Sequence, residues 1–150
     1  MNAITRQALS DFPALLEAHC AAIPDEFKHW APPSRDGMPS ETLTAIQQIC
    51  HVRDIEVLGY HVRFSRTLDE DHPLLESLDT DALARDRSYE HQSAEQVLSE
   101  FREARSRTMA LIDSFSPDQL RRTAVAAEPG PRSLQPRSAA SGGLAMACRQ

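Results

Sequence analysis

The chemistry this chain offers converges on one histidine. His51 lies within residues 40–68, SETLTAIQQICHVRDIEVLGYHVRFSRTL, the longest uninterrupted helical pattern in the sequence. Residues three, four and seven positions apart share a helix face. Gln47, Asp54, Ile55 and Leu58 therefore fall on the side that carries His51. One side of the helix offers an imidazole, an amide and a carboxylate among apolar residues. These groups donate and accept hydrogen bonds. The plainer alternative is a half-buried histidine held by Asp54 or by solvent. Glu56, five residues on, points elsewhere and contributes less.

The element that must position His51 is legible. Ser40 follows Pro39 and precedes Glu41, a cap and an acidic first turn. Leu43, Ile46, Ile49, Cys50, Val57, Leu58, Val62 and Leu68 recur at helical steps, not in strand alternation. A rod of this length runs roughly 40 Å. Gly59 is its weak point, costing about 1 kcal/mol against alanine, and marks close packing with a neighbour.

Other helices flank it. Residues 4–23 carry Leu9, Phe12, Leu15, Leu16, His19 and Ile23 at helical spacing, with Pro13 either in a first turn or at a kink. His19 reads as a packed or surface histidine. Residues 24–39 hold four prolines and a glycine and form a loop, with Phe27 and Trp30 expected to cover one end of the core. Residues 69–79 are a polar connection. Asp69, Glu70, Asp71 and His72 there read as a solvated terminus rather than a metal cluster. A short helix is expected over 79–88, with Asp79 or Asp81 as cap. Ser93 and Gln96 form a capping box that opens a long helix over 94–115. Arg102, Arg105 and Arg107 are interleaved with Glu100 and Glu103 and read as its solvated face. Ser116-Pro117 starts one more turn or two.

Composition narrows the function. The chain has 150 residues and a net charge of −6, which argues against a nucleic-acid grip. No stretch reaches the apolar length of a membrane span. The first residues lack the basic and apolar regions of a signal peptide. Cys20, Cys50 and Cys148 show no paired spacing, which suits a reducing cytoplasm and gives neither a disulfide framework nor a zinc knuckle. Residues 1–124 read as one helical domain. Residues 125–150 are rich in Pro, Gly, Ser and Ala, without an apolar period, and read as a disordered tail.

With the helices placed, the chain resembles the DinB-like superfamily, which includes YfiT-type proteins. The residues that carry the resemblance are Trp30-Ala31-Pro32-Pro33-Ser34, CHVRDIEVLGYHVRF at 50–64, ALARDRSY at 82–89, and the long helix followed by Ser-Pro-Asp-Gln-Leu-Arg-Arg. The resemblance implies an all-α, up-down helical bundle of four helices and a divalent metal, nickel or zinc. It further implies a metal-dependent enzyme of thiol-transferase or hydrolase type acting on an unidentified small molecule. His51 occupies the position of the metal ligand on the second helix, and Gln47 or Asp54 would orient it or a bound water. Two further ligands belong to an H-x-x-x-H pair on the fourth helix. No histidine follows His91 in this chain, and neither His19, His61 nor His91 has the spacing of that pair. The expected scaffold is therefore impaired, with its fourth helix missing or replaced by the tail.

Two readings of the tail follow. Read one nucleotide later, codons permitted for Pro136 to Ala147 spell His-Asp-Gln-Gln-His-Leu-Ala-Gly-Leu-Gln-Trp, and Met146-Ala147 must then give Trp. That points to a frameshift between about Thr123 and Pro136. If the chain is as written, three helices present an apolar strip, and a homodimer, aggregation or a loose fold is expected. A non-catalytic helical interaction module or a truncated pseudo-enzyme is the alternative function.

Overall fold

Four helices of the computed structural model begin at a residue whose side chain accepts from a free amide of the first turn, and residues 2–31 and 42–127 are described. The expectations at Pro32–Ser34, Ser40, Glu41 and residues 128–150, Cys148 included, lie outside them. Asn2 accepts from the Thr5 amide at 2.8 Å and opens α1, Ala3–Ala21. Thr44 opens α2, Ala45–Asp54, through a reciprocal box. The Gln47 amide donates to Thr44 Oγ1 at 3.4 Å, and the Thr44 amide donates to Gln47 Oε1 at 2.9 Å. Asp79 caps α4, Thr80–Asp86, and Ser93 caps α5, Ala94–Ser114. The Gln96 side chain does not close the expected box; it donates to Glu100 at 2.8 Å.

α2 runs without a break into a π-helical stretch, Ile55–Tyr60, and then into α3, His61–Asp69. Together they form one central helix. Its start differs from the sequence reading: Leu43 precedes the helix, and Thr44 supplies the cap. Gly59 sits in the π-helical stretch, where an added Cβ would meet Leu78 at 3.5 Å, the expected close neighbour.

The helix directions follow from their side-chain pairs. Arg53 meets Glu100, Glu56 meets Arg105, and His61 meets Thr108, so the central helix and α5 run parallel. Arg6 meets Asp113 and Glu17 meets Arg102, so α1 runs antiparallel to α5. Parallel neighbours need a long crossover, and residues 70–93 provide it, with α4 on the way. α5 is the common neighbour: the backbones of α1 and α2 both approach it closely, and approach each other little. Among the described residues, no fourth long helix fills the side between them.

The core gathers at one end of this arrangement. Ile49, Cys50, Tyr89 and Val97 are buried together, with Leu16, Cys20 and Leu83 against them. Phe101 is fully buried and meets Phe12 edge-on at 5.7 Å. Phe27 and Trp30 do not cover the core as expected; they are 53% and 56% exposed. The chain closes the other end with a two-residue parallel ladder, β1 (Leu74–Leu75) against β2 (Val125–Ala126). Residues 125 and 126 therefore belong to the folded body, not to a tail.

Candidate functional site

His51 is half-buried on α2, and no hydrogen bond or ion pair to it occurs among the described residues. The two residues expected to hold it are committed elsewhere. Gln47 spends its side-chain oxygen on the Thr44 amide, because helix capping requires an acceptor there. Asp54 is 1% exposed and turned to the crossover. Its Oδ1 accepts from Arg53 Nε at 2.9 Å and Arg87 Nη1 at 3.0 Å, and its Oδ2 accepts from Tyr89 Oη at 2.6 Å. A buried carboxylate needs such partners, since an unpaired charge there would be prohibitive. These three partners, not the imidazole, hold Asp54.

Around Asp54 the network is closed. Arg53 Nη1 also donates to Gln92 at 2.9 Å and to Glu100 at 2.6 Å. Arg53 and Gln96 hold the Glu100 carboxyl below its usual range. Burial, and then the bond to Asp54, raises the Tyr89 phenol well above its ordinary value. Burial pushes the Cys50 thiol up to about 11, so this neighbour of His51 is no nucleophile at neutral pH.

A second buried carboxylate lies two residues on. Glu56, 1% exposed, accepts from Arg105 Nε and Nη2, both at 2.9 Å, and from Thr108 Oγ1 at 2.5 Å. Arg105 is buried, which corrects the reading of a solvated face. Its Nη1 donates to the Leu9 carbonyl at 3.3 Å. That carbonyl lacks a helical partner because Pro13, four residues on, has no N–H. The guanidinium also lies over the rings of Phe12 and Phe101, 5.6 and 5.3 Å from their centroids. His61 Nε2 donates to Thr108 Oγ1 at 2.9 Å and to the Ala104 carbonyl at 3.1 Å. The tautomer follows from the partners: Ala104 O can only accept, and the Thr108 proton goes to Glu56.

The remaining candidates stay apart. His19 is exposed and bonds the Leu15 carbonyl at 2.7 Å. His91 is exposed beside Glu90. Asp69 pairs with Ser65 and Glu70 with Arg66, as a solvated terminus does. Among the described residues, no three His, Cys, Asp or Glu side chains come together as a metal site. Among the described residues His51 has no bonded side-chain partner, Asp54 is held by Arg53, Arg87 and Tyr89, and Gln47 is in the cap. The donor set described does not fit a divalent ion, and no chemical step is assigned to one.

A crossover-linked helical bundle with one free histidine on its central helix defines the class. The chain matches the model of the DinB superfamily over residues 8–142 and belongs to that superfamily. Among solved structures it is similar to YfiT from Bacillus subtilis, described as a probable metal-dependent hydrolase with an unusual four-helix bundle topology. The TM-score is 0.67 at 24% identity, over 79% of this chain and 64% of that one. The chain thus spans less than two thirds of that protein's length. A search of the curated proteins finds no match. No described helix is long and apolar enough to cross a membrane.

Proposed function

We propose that this chain is the scaffold of a DinB-type metal-dependent enzyme, a hydrolase or thiol transferase, acting on a small molecule in the cytoplasm. His51 is the ligand its central helix gives to nickel or zinc. The other two ligands belong to a fourth helix that the reading frame after about Thr123 does not spell. The observation that carries this is the free imidazole. Every other polar residue from Arg53 to Glu56 on that helix is tied down, while His51 is half-buried and unbonded. The open side between α1 and the central helix supports the same reading, as does the family match. As written, the site is incomplete and the enzyme impaired.

The test is to resequence the gene from the codon of Leu120 past the stop. A corrected base that restores the shifted frame returns an H-x-x-x-H pair. The corrected protein then binds one Ni or Zn per chain by elemental analysis and loses it in His51→Ala. A frame that stands, or a corrected protein that holds no metal, defeats this reading. A second reading is favoured by the exposed apolar residues Ile4, Leu15, Val62 and Leu120, which are 83%, 53%, 46% and 61% accessible. In it, the chain as written is an interaction module that pairs with a second copy through this surface. A concentration-independent monomer in sedimentation equilibrium would remove it.

A further inference from the structure

The unusual winding of residues 55–60 has a geometric counterpart across the interface. Glu56 and His61 bond the same hydroxyl: Thr108 Oγ1 donates to Glu56 Oε1 at 2.5 Å and accepts from His61 Nε2 at 2.9 Å. Residues five apart on an α-helix point about 140° away from each other, so one hydroxyl would not serve both. In a π-helix each amide reaches five residues back, and residues five apart stack on one face. The His61 amide does bond the Glu56 carbonyl, which closes that ring. The π winding of residues 55–60 thus coincides with a shared partner on α5.

We infer that Thr108 and Glu56 impose the π-helical stretch and thereby set the direction of His51, so that both are positioning residues for it. Three anchors hold the central helix on either side of the stretch and within it. Before the stretch, Arg53 and Asp54 fix α2 against Tyr89, Gln92 and Glu100. After it, His61 fixes α3 against Ala104 and Thr108. Between them, Arg105 grips Glu56 from α5 while bonding α1 at Leu9. The chain has one residue more between these anchors than an α-helix can place, and the π winding absorbs it. If the stretch rewinds as α-helix, α2 turns by about 100° relative to α3, and His51 turns with it. The value of that direction to metal binding rests on the proposed function; the geometry does not.

The test uses the full chain and needs no metal. NMR would follow the exchange of the His61 amide and the ring resonances of His51. Thr108→Val keeps the shape and removes the hydroxyl, and Thr108→Ser restores it. In Thr108→Val the His61 amide should lose its protection and the His51 resonances should shift, while Thr108→Ser matches the parent. Unchanged spectra in Thr108→Val, or a Thr108→Ser that behaves like it, overturn the inference. Should Thr108→Val not fold, deletion of Tyr60 decides. It leaves Glu56 and His61 four residues apart, a spacing that shares a face in an α-helix. A folded deletion variant with His51 in place supports the inference; an unfolded one, or one with His51 displaced, overturns it. These readouts are indifferent to whether a metal ever binds, so they fail separately from the proposed function.

Discussion

Asp54 shows what a residue's face does and does not reveal. Its helical position put it beside His51, and the pattern marked it as polar among apolar neighbours. Its actual partners, Arg87 and Tyr89, come from 33 and 35 residues later, where helical periodicity carries no information. The burial of Arg105 was hidden for the same reason. Neighbouring charges suggest a wet face, whereas Glu56 and the carbonyl freed by Pro13 draw this arginine inward. Two predictions belong at this scale. Tyr89→Phe removes one donor from a buried carboxylate and should cost about 1.5–3 kcal/mol in urea unfolding. Arg105→Met leaves Glu56 buried without its cation and should cost about 3–5 kcal/mol in the same assay. The Cys50 thiol, pushed up to about 11, is a thiolate in only about one molecule in a thousand at pH 8. In the native state it should resist alkylation, and unfolding in denaturant should release it.

At the scale of elements, caps were the most legible feature. Asp79, Ser93 and Ser116 accept from the amides that their positions predicted. α5 ends within one residue of its expected limit, because a cap and a strict apolar period fixed it from both sides. The central helix was seen as one rod, but its winding was not. A π-helix arises here from a partner on another helix, and a window of six residues does not contain it. The contact between α2 and α5 also carries a pH dependence. Glu100 titrates below its usual range because of Arg53, so folding holds its proton less tightly than the unfolded chain does. Its stabilising effect is complete above the ordinary glutamate range and fades as the pH falls through the lowered value. Glu100→Gln should therefore melt earlier than the parent at neutral pH, and the gap should close in acid. Glu100 is 41% exposed, so the gap is modest and shrinks with added salt.

For the whole molecule, fold class and family were open to reading because three long amphipathic patterns and their caps admit few arrangements. What they do not encode is which helices touch. That α1 and the central helix share α5 and nearly ignore each other depends on side chains brought together over long separations, such as Arg6 with Asp113. The open side this leaves should be sticky: Leu15→Glu with Val62→Glu should lower any concentration-dependent association seen by sedimentation, without lowering helicity. The same hub arrangement orders events during synthesis. A growing chain that has not yet released α5 from the ribosome lacks the helix against which both α1 and the central helix pack. The core around Val97 and Phe101 closes only once α5 has emerged. Nascent chains arrested before residue 94 should be cut by protease along their length, and those arrested well beyond residue 127 should be protected in one step.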